Sequence, residues 1–347
     1  MRKATLLGGS GFAGAEILRR LLRHPEIEVV RVGAADHLGQ PVAAAHPHLE
    51  GLTELHFEEL TPEQAVADVD VVIMGLPHAA SVQVMHAARA QNVRVLDLSG
   101  AFRLRSPASY QRYYGEAHRH PELLQEFVYG QPEWNRSRLA GAHYVASPGC
   151  FATCIELSLA PFARAGWLTG AVRTVALTGS SGAGASPVAT THHPTRAHNL
   201  RTYKPLEHAH TPEIVENLEL WGGRSLELSF VPVSVPLTRG IFATSFFSVS
   251  ADVSEAQLRD VLESAYAGER FVRVPKARLP EVVAVATSNI AEVGVVCGEL
   301  QGGRREVLAF GALDNLVKGG AGQAVQNLNL MFGWDEALTL DGAGSYP

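Results

Sequence analysis

Over the first third of the chain, short unbroken apolar runs alternate with longer stretches whose apolar residues recur at helical spacing. Segments 4–8, 28–34, 69–76 and 94–98 read as strands, and helices are predicted at 13–23 and 78–90. Strands that lack polar–apolar alternation are covered on both faces, which predicts a parallel sheet with helices on either side. Beyond position 150 the pattern changes. Segments 172–177, 226–232, 240–250, 282–287 and 293–297 read as longer strands, several of them alternating, as in an antiparallel sheet with one wet face. Helices are fewer here, at 151–165, 212–219 and 254–266. A last helical stretch, 314–331, is expected to pack back onto the first sheet. The loop 179–204 is long, polar and rich in His, Gly and Thr, and loops of that size are usually functional or mobile.

Between the first strand and the first helix lies Gly8-Gly9-Ser10-Gly11-Phe12-Ala13-Gly14. Glycines at 8, 11 and 14 are a variant of the dinucleotide fingerprint: without side chains the backbone comes close to a pyrophosphate, which then lies on the helix N-terminus. Its place at the start of a β-α-β pattern predicts a Rossmann-type domain, with Gly8, Gly11 and Gly14 against the cofactor. The second strand ends at Ala34-Ala35-Asp36. An acidic residue there suits the ribose hydroxyls of NAD and opposes the 2′-phosphate of NADP. A solvent-facing Asp36 would leave the choice open.

Composition narrows the class. At 347 residues two domains are expected, and 46% apolar against 18% charged residues indicates a packed globular protein. A net charge of −6 argues against broad nucleic-acid binding. No run reaches the roughly 18 apolar residues of a membrane span, and glycines break the apolar start too early for a secretory leader. Three scattered cysteines, Cys150, Cys154 and Cys297, make no disulfide framework and suit a reducing cytoplasm. His192, His193 and His198 have no carboxylate or thiolate ligands close by, so no metal site is expected.

Cys150 carries the chemistry. In Ser147-Pro148-Gly149-Cys150 the proline stops the preceding segment, the glycine turns the chain, and Cys150 opens a helix. Unpaired N–H groups and the positive helix end favour thiolate, the reactive form. Cys154, one turn on, is expected to be a packed core thiol, and Cys297 likewise. A non-catalytic nucleotide-binding protein would need no such thiol.

The glycine-rich start, the Ser-Pro-Gly-Cys turn and His208-Ala209-His210-Thr211-Pro212-Glu213-Ile214 together resemble the N-acetyl-gamma-glutamyl-phosphate reductase family, related in architecture to aspartate-semialdehyde and glyceraldehyde-phosphate dehydrogenases. Further matches are Asp97-Leu98-Ser99-Gly100-Ala101-Phe102-Arg103-Leu104, Tyr129-Gly130-Gln131-Pro132-Glu133, Ser180-Ser181-Gly182-Ala183-Gly184, Thr238-Arg239-Gly240-Ile241 and 314–323. The resemblance implies an NADP-binding Rossmann domain, 1–148 with 314–347, and a glyceraldehyde-phosphate-dehydrogenase-like α+β domain, 149–313, with a mixed or antiparallel sheet. It implies NADPH-dependent reduction of an acyl phosphate to an aldehyde through a Cys150 thioester. His210 would be the acid/base, with His208 a weaker candidate. Arg103 and Arg239 would hold substrate anions, and Ser10, Gly11, Phe12, Ala13, Ala34, Ala35, Asp36 and Asn315 would line the cofactor site.

Two departures from the arginine-pathway pattern point to a branch. Serine precedes Pro148 where asparagine is usual, and the 185–205 loop resembles the lysine-pathway members, whose 2-aminoadipate or glutamate phosphate is attached to a small acidic carrier protein. Arg196, Arg201 and Lys204 make that loop positive on a negative protein, which would steer such a partner. The alternative is the free N-acetylated substrate. A cytoplasmic homo-oligomer, dimer or tetramer, is expected in either case.

Overall fold

The computed structural model describes residues 1–346. Seven strands form the first sheet: β1 (Arg2–Leu7), β2 (Ile27–Gly33), β3 (Phe57–Glu58), β4 (Val71–Met74), β5 (Arg94–Asp97), β6 (Val128–Tyr129) and β7 (Tyr144–Ala146). Their order is β3-β2-β1-β4-β5-β7-β6, and every neighbouring pair is parallel. The chain moves outward one way from β1 and the other way from β4, so a crevice opens between their carboxyl ends, the place where open α/β sheets bind ligands. Central β4, Val71–Met74, is buried throughout, as its unbroken apolar sequence requires. Helices α1 (Phe12–Leu21), α2 (Pro62–Val66), α3 (His78–Ala90), α4 (Pro107–Tyr114) and α5 (Pro132–Leu139) belong to this half of the sequence.

The second sheet also has seven strands: β8 (Ala171–Thr178), β9 (Arg201–Thr202), β10 (Glu227–Ser234), β11 (Ile241–Ser250), β12 (Val272–Arg273), β13 (Ala291–Gln301) and β14 (Arg304–Leu313), ordered β12-β13-β14-β11-β8-β10-β9. It is mixed: β8–β10 and β12–β13 are parallel, the other pairs antiparallel. Alternate residues of β11 are buried, as the period-2 pattern predicted. They lie beneath α6 (Cys150–Arg164), which is buried along nearly its whole length against β11, β13, β14, α8 (His210–Gly222) and α9 (Glu255–Ala265). Pro161 within α6 cannot bond the Leu157 carbonyl four residues back; the Tyr266 hydroxyl donates to it instead, at 2.5 Å. A short α7 (His193–Arg196) lies in the polar loop.

The tail differs from one long helix. Residues 317–321 form a π-type turn before α10 (Gly322–Phe332), which packs on α1, α5 and β5. The segment 282–287 is not a strand. The Val285 and Ala286 amides bond back to the Val282 carbonyl, Thr287 adopts φ 62°, and the Thr287 amide donates to Asp314 at 2.7 Å. Tight turns satisfied by a buried carboxylate outweigh the β propensity of the valines. Strand β14, which no sequence segment anticipated, lies in the interior of the second sheet. Cys297 is half-buried rather than core, because β13 slips register between Cys297 and Leu300. No helix among the described residues is long and apolar enough to cross a membrane.

Candidate active site

The glycine turn sits at the crevice between β1 and β4. Gly8 has φ +78°, and a Cβ there would lie 2.2 Å from the Gly75 carbonyl oxygen that ends β4; one at Gly14 would lie 2.5 Å from the Gly9 carbonyl. Only a bare backbone closes this way, and it leaves a cradle at the N-terminus of α1, where Gly11 is the N-cap. The buried His46 ring contacts the Gly9 carbonyl at 2.7 Å and braces the turn from below. Ser10 donates its hydroxyl to Asp36. Ala34 continues from β2 with its amide on Glu58, while Ala35 and Asp36 lie exposed at the strand end.

From this turn a cleft of about 470 Å³ runs past Gly11, Phe12, Ala13 and Leu76 to Cys150, with Ser181, Gly182 and Asn315 from the second half of the chain on the opposite wall. Asn315 is buried and fixed at both ends: its Oδ1 accepts from Gly240 N at 2.7 Å and its Nδ2 donates to Ser181 Oγ at 3.0 Å. The cradle and cleft fit an extended dinucleotide.

A second cavity, of about 340 Å³, meets the first at Cys150 and is lined by His208, Tyr203, Arg196 and Arg201. Cys150 and His210 line both cavities. The turn that carries the sulfur is pinned on three sides. Ser147 N donates to the Asp97 carbonyl at 2.7 Å, Arg103 Nε donates to the Ser147 carbonyl at 2.9 Å, and Gly149 N donates to Glu213 at 2.8 Å. Cys150 follows as the first residue of α6, as the sequence predicted. Cys154 does not share the cavity. A Cβ on Gly311 of β14 would lie 2.9 Å from its sulfur, so this thiol faces the sheet and is 1% exposed.

The electrostatics depart from expectation. Burial pushes the Cys150 thiol up to about 11, against the pull of the Arg103 guanidinium and the Phe151 N–H. The helix end alone therefore does not make a thiolate here. Burial also drives His210 well below the ordinary imidazole range, helped by His208 and Arg103, and holds His208 down at about 4. The resting pair is a neutral thiol beside a neutral imidazole. The His210 ring is wedged against Gly149, where a Cβ would lie 2.2 Å from its Nε2, and His208 packs among Tyr203, Phe151 and Phe230.

Neither expected anion-binding arginine is free. Arg103 is partly buried and lines the cleft with Cys150, but it donates to the Ser147 and Leu98 carbonyls and lies 3.6 Å from Glu213. Burial opposes its charge and Glu213 more than restores it. Arg239 donates to Glu16 at 2.6 Å and lies 3.7 Å from Asp314. An arginine's pairing is fixed by distant carboxylates, which a local motif does not display. Of the loop cations, Arg196 is anchored to Ser234 and the Val235 carbonyl, while Arg201 and Lys204 are exposed.

Sequence reasoning missed a buried network beneath the turn. The Tyr129 hydroxyl lies 2.7 Å from Glu213 and 2.9 Å from Glu156, both fully buried. Burial and the neighbouring Glu213 charge raise Glu156 well above the carboxylate range, so Glu156 keeps its proton and Glu213 pairs with Arg103. Tyr129 and Glu213 stand inside the motifs named above, and a carboxylate, Glu156, in the middle of a mostly apolar helix was the available signal.

Comparison with known proteins follows the same lines. The family model described as semialdehyde dehydrogenase, NAD binding domain, matches residues 3–142, and that described as semialdehyde dehydrogenase, dimerisation domain, matches 150–315. An N-acetyl-gamma-glutamyl-phosphate reductase of Symbiobacterium thermophilum is 41% identical over 99% of this chain and 98% of its own. A Thermomicrobium roseum protein named for reduction of LysW-L-2-aminoadipate 6-phosphate is 39% identical over 99% and 98%. The crystal structure of aspartate semialdehyde dehydrogenase II from Vibrio cholerae superposes with a TM-score of 0.71 at 16% identity, covering 95% of this chain and 98% of that one.

Proposed function

The chain belongs to the semialdehyde dehydrogenase family, in the group of N-acetyl-gamma-glutamyl-phosphate reductases and their LysW-linked relatives, and on that premise we propose that it reduces a carrier-bound 2-aminoadipate 6-phosphate or glutamate 5-phosphate to the semialdehyde. One observation carries the reading: Cys150 and His210 stand where the dinucleotide cleft and the basic cavity meet.

Cys150 attacks the acyl carbon while His210, neutral at rest, takes the thiol proton; the C–O bond to phosphate breaks and a thioester remains. A reduced nicotinamide dinucleotide held in the cleft would supply the hydride that brings the thioester to the aldehyde level. His210 then gives its proton to the oxyanion of the thiohemiacetal and recovers it from the hydroxyl as the C–S bond breaks. Arg103 steadies negative charge on sulfur from below. Glu213 is a positioning residue, holding Arg103 and the Gly149 amide together. Residues 8–14, Ala34–Asp36 and Asn315 hold the dinucleotide. Arg201, exposed at the mouth of the substrate cavity, is a better placed anion partner than Arg103 or Arg239. Arg201 and Lys204 form the landing for an acidic carrier, and the protein works as a homo-oligomer through its second sheet.

The free N-acetylated acyl phosphate is the second reading, favoured by the 41% identity to the Symbiobacterium enzyme. The test offers carrier-linked and free acyl phosphates side by side. Turnover of the carrier-linked form that Arg201→Ala and Lys204→Ala weaken through KM supports the first reading; preferential turnover of the free form replaces it with the second. Cys150→Ser abolishes both.

A further inference from the structure

We infer that the adenosine end of the cleft is built for a ribose with a free 2′-hydroxyl, so that the protein takes NADH at least as readily as NADPH, and that Asp36 sets this. The inference rests on the dinucleotide reading above and specifies its reductant further. Asp36 follows β2 and is exposed, yet its carboxylate does not wander, because the Ser10 hydroxyl donates to Oδ1. Ser10 lies between Gly9 and Gly11, so the bond fixes the carboxylate at the lip of the phosphate cradle. In sheets of this topology, a carboxylate at the end of the second strand accepts from ribose hydroxyls, whereas a 2′-phosphate calls for an arginine.

No such cation is at hand. Residues 34–40 read Ala-Ala-Asp-His-Leu-Gly-Gln and include neither lysine nor arginine. The His37 ring lies 3.4 Å from the Gln40 side-chain oxygen and sits 6.0 Å, centroid to centroid, from Phe57. Along α1, Arg19 and Arg20 are both committed to Glu16. A 2′-phosphate would thus meet like charge without a counter-charge, and at an exposed site that repulsion is worth about tenfold in affinity. A hydroxyl at the same place gains an acceptor.

Binding is the direct readout. Wild type and Asp36→Ser are titrated with NADH and with NADPH by calorimetry in the absence of substrate, and 2′,5′-ADP is used as a competitor. The expected result is a Kd for NADH at or below that for NADPH in the wild type. In Asp36→Ser the ratio should move about tenfold toward NADPH, with 2′,5′-ADP becoming the better competitor. Tighter binding of NADPH by the wild type, or a ratio that Asp36→Ser leaves unmoved, overturns the inference. Failure of the folded protein to bind either dinucleotide would instead overturn the cofactor reading beneath it.

Discussion

At the scale of single residues, the resting state of the nucleophile decides how the site is switched on. A thiol held near 11 is protonated at neutral pH, so alkylation of Cys150 by iodoacetamide should climb about tenfold per pH unit through the mildly alkaline range. A rate already flat at neutral pH would show a preformed thiolate. The buried carboxylates divide by protonation state. Glu156→Gln replaces one neutral hydrogen-bonding group with another and should leave stability within about 1 kcal/mol and kcat near wild type. Glu213→Gln removes the charge facing Arg103 and should cost about 3–5 kcal/mol of stability, read by urea denaturation, with a fall in kcat. Cys150 and the glycine turn were legible in sequence because each belongs to a local motif with a backbone requirement, whereas His210 came only from the family resemblance. The partners of Arg103 and Arg239 were not legible, since Glu213 lies 110 positions from one and Glu16 lies 223 from the other.

At the scale of elements, the start of α6 and the start of α8 are fitted to each other through one missing side chain. Gly149→Ala would drive a methyl group into the His210 ring. The backbone at Gly149, φ −72° and ψ 149°, suits any residue, so the fold should survive while kcat falls about a hundredfold or more and circular dichroism stays unchanged. The strands β1, β2, β4 and β5 were readable because apolar runs are unambiguous when glycines and helices punctuate them, while the two- and three-residue strands β3, β6 and β7 are too short to carry a pattern. The segment 282–287 misled because its valines carry the composition of a strand, while its hydrogen bonds go to a turn and to Asp314. Strand β14 was overlooked although its signal is local: Gly302-Gly303 join it to β13 as an antiparallel hairpin, and Val307–Leu313 is an apolar run with one glycine.

At the scale of the whole molecule, the two sheets are joined by ionic ties as well as by apolar packing. Glu16 on α1 bonds Arg20 and Arg239, the latter just before β11. Burial alone would raise the Glu16 carboxyl, but Arg20, Arg239 and Arg19 overcome it and hold it at about 2, below the ordinary 4.5. Its stabilisation is therefore complete above the ordinary carboxylate range and disappears as pH falls through that range toward 2. Over this window about 3 kcal/mol should be lost, seen as a drop in Tm, and Glu16→Gln should flatten that part of the profile while lowering Tm at neutral pH. Phe12 and Ala13 of the same helix line the long cleft, and Ser181, Gly182 and Asn315 from the second half of the chain line it too. A molecule lodged there splints both halves at once, so the supply of reduced nucleotide in the cell would govern how long each copy escapes proteases, and a starved cell would clear this enzyme faster than a well-fed one.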